Sequence, residues 1–165
     1  MAIVRPEQPG DESEIAAILI AAFADATEAG LVARLRGSDS WVPELSIVVQ
    51  QEEQLVAFAL LSRVTAGESE ALVLGPVAVL PNHQRGGLGT AVVRMALDRA
   101  RGMNFECVVA IGPGPFLTNC GFRPAAARGL TTEMELPDDV FQVAELAPAG
   151  VTPGPVLWPD EWSGD

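Results

Sequence analysis

Apolar residues recur along this chain at two spacings, three-to-four and two, and the changes between them divide it into elements. Residues 2–5 predict a short strand, closed by Pro6 and the Pro9-Gly10 turn. Asp11 stands as an N-cap with Glu14 three residues on, the spacing of a capping box. Ile15, Ile18, Leu19 and Phe23 then share one helical face. A second helix is expected over 28–36, with Leu31, Val32 and Leu35 inward and Gly37 at its end. Residues 44–50 and 55–64 read as strands joined by a hairpin turn at 51–54, and 65–68 as a further turn pivoting on Gly67. Residues 71–80 are an almost unbroken apolar run, the pattern of a strand buried on both faces. Gly75-Pro76 interrupts it. Proline has no N–H for a ladder, so a bulge or splay is expected there.

Downstream, a helix is expected from 88 to about 101, with Leu88, Val92, Met95 and Ala96 as its buried stripe and Gly102 as its stop. A buried strand follows at 105–111, then a loop at 112–115 leading to a short helix that ends at Gly121-Phe122. Strands are predicted at 131–136 and 140–146. Residues 149–165, rich in Pro and Gly, read as an extended tail. No linker or repeat breaks the pattern, so residues 1–165 are expected to form one domain, an α/β sandwich around a central sheet.

Composition narrows what such a domain does. The net charge of −12 disfavours nucleic acid, where Lys and Arg against phosphate dominate affinity, and it disfavours anionic membrane surfaces. No apolar run reaches the length of a membrane span, and the first residues lack the pattern of a signal peptide, so a soluble cytoplasmic protein is expected. All ten basic residues are Arg, which excludes Schiff-base and lysine-nucleophile chemistry. There is no Tyr, which excludes a phenol as general acid. One His (His83) and two Cys (Cys107, Cys120) make neither a usual zinc site nor a disulfide framework, and no metal is expected.

The segment that carries chemistry is Gln84-Arg-Gly-Gly-Leu-Gly-Thr90, between the apolar strand and an amphipathic helix. Gly86, Gly87 and Gly89 let backbone approach a ligand closely, and the first helical N–H groups have no internal partner. The arrangement suits a pyrophosphate, or else is a plain tight turn before a helix. The spacing is not Gly-x-Gly-x-x-Gly and no P-loop Lys exists, so dinucleotide and NTPase readings fail. Gln84-x-x-Gly87-x-Gly89 resembles the acetyl-CoA signature of the GNAT superfamily of N-acetyltransferases. The segments at 42–46, 74–79, 121–124, 141–146 and 154–159 resemble its YhbS-like branch, so the resemblance spans nearly the whole chain.

That resemblance implies a GNAT-type acyltransferase fold: a mixed, mostly antiparallel central sheet with a bulged, splayed fourth strand and helices on both faces. It implies acetyl-CoA as acyl donor, an unidentified amine as acceptor, direct transfer in a ternary complex, and a possible homodimer. Pantetheine would pair with strand backbone at Val77, Ala78 and Val79. The pyrophosphate would sit on amides of Gln84, Arg85, Gly86, Gly87, Leu88, Gly89 and Thr90, with Phe116 and Leu117 completing the CoA site and Arg85, Arg94 and Arg123 offsetting the negative field.

The pattern departs where proton transfer is concerned. Many members have a Tyr four residues before the Gly-Phe pair; here Leu117 stands there, with Phe116 beside it. Val73 is level with a strand carboxylate found in some members, and Glu68, Glu70 and Asp98 read as solvated acids. The remaining candidates are the Val79 backbone amide as a thioester polariser, Thr118 as a weak donor, and Cys120, whose plain alternative is a small packed residue. Trp41, Trp158 and Trp162 either line an acceptor pocket or pack at boundaries, and the acidic C-terminal stretch either attracts a cationic amine or solvates a surface. A different class therefore stands beside the transferase: a CoA-binding sensor or partner module with little catalysis.

Overall fold

Two-residue turns string the first long strands into an antiparallel meander. In this computed structural model, which describes residues 2–148 and 150–163, β2 (Ser46–Gln51) turns into β3 (Gln54–Ala66), and β3 into β4 (Ser69–Val79). Glu52 and Glu53 both take positive φ (50° and 69°), the left-handed pair whose twist matches that of the flanking strands. Gly67, at φ +61°, opens the next turn. β1 (Ala2–Pro6) adds antiparallel to β2. On the far side β4 runs parallel to β5 (Cys107–Ile111), which pairs antiparallel with β8 (Phe141–Glu145), and β8 with the short β6 (Arg123–Pro124). The order β1-β2-β3-β4-β5-β8-β6 is the mixed, mostly antiparallel sheet expected of the fold.

Helices cover both faces because alternate strand residues are apolar on both sides. From β3, Phe58 and Leu60 point to α1 (Glu12–Phe23) and α2 (Thr27–Arg36), joining Ile15, Ile18, Leu19, Val32 and Leu35. Their neighbours Ala57, Ala59 and Leu61 point to α3 (Leu88–Gly102), against Val92, Val93, Ala96, Leu97 and Ala100. Burying a Leu or Phe side chain in this way contributes about 1.5–3 kcal/mol. A third cluster, around Val73, Cys107, Val109, Phe141 and Val156, lies under the C-terminal segment.

Several expectations need correction. Asp11 and Glu14 make no capping box: Asp11 is held by Arg5 (2.8 Å) and the Gln8 N–H, and Glu14 accepts from Leu55 N–H at 2.8 Å. Tertiary partners outcompete the local cap. Arg5 also holds the Asp11 carboxyl below its ordinary range, against the opposing effect of burial. Phe23 and Met95 are exposed; Val93, Leu97 and Ala100 complete the α3 stripe instead. Pro43–Leu45 is a 3-10 turn rather than the start of a strand, and of the predicted 131–136 strand only Thr131 is regular, as the end of β7 (Leu130–Thr131).

The C-terminal segment, expected as an extended tail, is partly regular and docked on the sheet. Gly154–Leu157 (β9) pairs with β3 and β7, and the 3-10 turn Asp160–Ser163 packs beside α2, where Arg34 Nη2 donates to the Glu161 carbonyl at 3.2 Å. No helix among the described residues is long and apolar enough to cross a membrane.

Candidate acyl-donor cleft

The site follows from one interruption in a strand. Ala59 of β3 pairs with Val77 and Leu61 with Leu74, so Leu60 alone opposes Gly75 and Pro76. That extra residue makes a bulge, and the parallel pairing of β4 with β5 stops at Leu74 and Ala110. Beyond it the strands part around a cleft of about 780 Å³. Its walls include Val77, Ala78 and Val79 of β4, Ala110 and Ile111 of β5, and Phe116 and Leu117 of α4 (Gly114–Asn119).

The backbone of β4 presents an unpaired edge to this cleft. Leu80 N–H donates to Val56 of β3 at 2.9 Å. Backbone groups alternate sides along a strand, so Ala78 also directs its N–H and C=O to β3, while Val77 and Val79 direct theirs into the cleft. The Val79 carbonyl is taken by Gln84 Nε2 at 3.1 Å, while among the described residues no strand pairs with Val79 on the cleft side, because the β4–β5 ladder has already ended at Leu74.

At one end of the cleft lies a row of amides. His83 N–H donates to Leu80 and Ala91 N–H to Gly87, but among the described residues the amides from Gln84 to Thr90 have no backbone acceptor. Arg85 (φ +69°) and Gly87 (φ +83°) are left-handed, turning successive N–H groups toward one concavity before α3. The left-handed cost at Arg85, about 1–2 kcal/mol, is borne at the turn where these amides converge. The α3 dipole adds a positive end, and its first turn carries no acid. This cradle fits an anion such as a pyrophosphate.

The individual candidates divide between cleft and elsewhere. Val77, Ala78, Val79, Gln84, Gly89, Phe116 and Leu117 line the cleft, Arg85, Gly86 and Gly87 form the loop leading from it into α3, and Leu88 is the first residue of that helix. Thr90 turns aside: its Oγ1 accepts from Asn119 Nδ2 at 3.4 Å and meets the Cys120 thiol. Arg94 and Arg123 donate to the carbonyls of Asn119 and Phe122, leaving Arg85, exposed and outside the ion pairs of the described residues, beside the cradle. Thr118 lines a separate hollow of about 550 Å³ with Pro124 and Gln142. Cys120 is buried with Phe122, and burial pushes its thiol up, against nucleophilic use. Glu70 lies in another hollow and Asp98 pairs with Arg101.

The lining residues not assigned to the site from the sequence include four from the first two helices. Ala22 and Phe23 at the end of α1, and Glu28 and Leu31 of α2, reach the cleft from the opposite end to the amides. Trp162 joins them, packed beside Gly75 and stacked on Trp158 (ring centroids 5.5 Å apart, 14° between planes). Trp41 instead lies under Arg36.

Comparison with known proteins gives the family and agrees with the fold. The model of the Acetyltransferase (GNAT) family matches residues 13–120, from α1 through the cradle to α4. The chain belongs to this family. It is 31% identical over 134 residues to the uncharacterized N-acetyltransferase YjhQ of Escherichia coli (strain K12), covering 78% of this chain and 74% of that protein. It is 29% identical over 147 residues to the uncharacterized N-acetyltransferase YhbS of the same organism. The crystal structure of E. coli YhbS in complex with CoA superposes with TM-score 0.90 at 27% identity, covering 98% of this chain and 92% of that one. A GNAT family acetyltransferase from Brucella melitensis in complex with acetyl-CoA gives TM-score 0.82 at 25% identity, covering 98% of each chain. In this GNAT chain the C-terminal segment that brings Trp162 to the cleft lies outside the region matched by the family model.

Proposed function

We propose that this GNAT chain is an acetyl-CoA-dependent N-acetyltransferase that moves an acetyl group to an amine by direct attack in a ternary complex. The observation that carries the reading is the continuity of one cleft. It leads from the unpaired amides of Gln84–Thr90, along the free edge of Val77 and Val79, to the open face of α1 and α2. The CoA and acetyl-CoA complexes of its structural neighbours support it.

When bound, the thioester supplies an acyl group activated for attack by an amine nitrogen. The amides of residues 84–90 hold the diphosphate, and the Val77–Val79 edge pairs with the extended arm as an added strand would. The Val79 N–H, directed into the cleft where the β4–β5 ladder has ended, polarises the acyl oxygen. A single donor so placed contributes about 10²–10³ in rate. Leu117 and Phe116 offer no hydroxyl, and a missing proton-transfer group costs about 10²–10⁴. Positioning offsets part of this, because reactants held in attack geometry gain up to about 7–11 kcal/mol. The overall change balances: the neutral amine gives up one N–H proton as its C–N bond forms, the C–S bond breaks, and the leaving thiolate takes a proton.

A second reading is CoA binding without efficient transfer. It is favoured by buried, apolar Leu117 in the cleft wall and by the lack of any Tyr in the chain. Thermal unfolding with acetyl-CoA and thiol release in an amine panel separate the cases. At a hundred times its dissociation constant a ligand adds about 2.7 kcal/mol, a rise of about 5–11 °C for a domain of this size. A rise with thiol release supports the transferase. A rise with no release across the panel supports the second reading, and no rise at millimolar acetyl-CoA overturns both.

A further inference from the structure

The cleft has a second end, and its walls differ in kind from the cradle. Ala22, Phe23, Leu31 and Trp162 make it apolar, and among the described residues that line the cleft Glu28 is the one titratable side chain. Glu28 lies half-buried in the first turn of α2 and takes part in none of the ion pairs of the described residues. A helix dipole accounts for an acid in a first turn but not for one set in an apolar wall. The wall is also fixed in place. Trp162 is backed by Trp158, which meets Phe141 edge-on (5.9 Å) and donates its Nε1–H to Thr132 Oγ1 at 2.8 Å. Arg34 ties the same segment to α2 through the Glu161 carbonyl.

We propose that this end of the cleft is the acceptor subsite and takes a primary amine carried on a flat apolar body, its ammonium against Glu28 and its body against Phe23, Leu31 and Trp162. The inference rests on the transferase reading and adds the substrate class to it. A carboxylate paired with a cation in a largely apolar site gives a strong, oriented contact, and aromatic walls favour a planar body. The same residues argue against other amines. An amino acid would bring its own carboxylate to Glu28, with no Arg among the described lining residues to receive it. A polyamine would leave its second ammonium without a counter-charge. The ammonium sheds one proton to solvent before attack, and the remaining chemistry is the transfer already described.

The test titrates 2-phenylethylamine and phenylalanine, which share a body and differ by a carboxylate, into the full chain with and without saturating CoA. The expected result is saturable binding of 2-phenylethylamine in the CoA-saturated protein, at least tenfold tighter than phenylalanine. Glu28→Gln should weaken the amine at least tenfold and bring the two ligands within about threefold of each other, while the stabilisation by acetyl-CoA stays as in the wild type. Phe23→Ala, at an exposed position and so little threat to folding, should weaken both ligands several-fold and leave their ratio unchanged. No saturable binding of 2-phenylethylamine, or discrimination that persists in Glu28→Gln, overturns the subsite. Acetylation of amino acids or spermidine with 2-phenylethylamine ignored overturns it too, yet leaves the transferase reading standing. Absence of thiol release with every amine counts against the transferase reading, whereas the binding titrations judge the subsite by themselves.

Discussion

Between pH 9 and 11.5 the stability of this protein should decline, and two thiols should account for the decline. The chain has neither Tyr nor Lys, so the side chains that ordinarily titrate in that range are missing, and arginine stays charged throughout. Cys107 is fully buried in the middle of the sheet, in register with Glu145 across from it. Burial, and then the charges of Glu106 and Glu145, push its thiol from 9.0 up to about 12. Burial also raises Cys120, against a lowering hydrogen bond from Thr90 and the nearby charge of Arg94. The unfolded chain releases both protons near pH 9, whereas the folded chain keeps them. The contribution is therefore complete below pH 9 and is lost as pH rises toward the folded value. At about 1.4 kcal/mol per pH unit, Cys107 alone removes about 3 kcal/mol by pH 11.5, a large share of the roughly 5–15 kcal/mol of an ordinary domain. Urea unfolding followed by Trp fluorescence, from pH 8 to 11.5, measures it. The wild type should lose stability across the window, Cys107→Ala should lose most of that slope, and the Cys107→Ala/Cys120→Ala double variant should be nearly flat. A wild type that is flat to pH 11.5, or a double variant with the wild-type slope, would refute the reasoning.

Two further predictions concern glycines with different surroundings. Gly87 is left-handed (φ +83°) with nothing within 4 Å of an added Cβ, so Gly87→Val should cost the free protein about 1–2 kcal/mol of backbone strain. It should also lower acetyl-CoA affinity at least tenfold by turning the cradle amides, while Gly87→Asn, which tolerates that conformation, retains binding; equal thermal shifts in Gly87→Val and wild type would count against the cradle. Gly67 is left-handed too, but a Cβ there would stand 2.2 Å from the Thr152 carbonyl oxygen and 2.8 Å from that of Pro153. Relief requires moving the C-terminal segment, at the expense of the Gly67 N–H bond to Pro155 (2.9 Å) and the Thr152 N–H bond to Ser69 (3.1 Å). With strain and about 1 kcal/mol per lost bond, Gly67→Ala should cost about 3–4 kcal/mol and perturb the near-ultraviolet signal of the Trp158–Trp162 stack. A loss under about 1 kcal/mol in urea unfolding would show that the segment docks more loosely than described.

Features that depend on neighbours in the chain were legible without the fold. The Gly75-Pro76 interruption announced the bulge, because a missing donor breaks a ladder wherever the strand lies. The row of amides without backbone acceptors was legible because they all lie within residues 84–90 and need only local backbone geometry. Where a local rule had a rival it failed: the capping box at Asp11 and Glu14 gave way to Arg5 and the Leu55 N–H, partners that come close only once the sheet forms. Met95 was read as buried because it fits a helical spacing, but the sheet meets α3 along Val92, Val93, Ala96, Leu97 and Ala100, one step around the helix.

The sequence by itself determined the main helices and long strands, the strand bulge and the glycine-rich turn before α3, since each is written in residues a few positions apart. Only the tertiary structure decided what stands at the far end of the cleft. Phe23 and Glu28 come from the first two helices and Trp162 from a segment more than 130 residues later, returned to the sheet by the pairing of β9 with β3. No periodicity relates positions so far apart, because their meeting is set by how strands and helices pack.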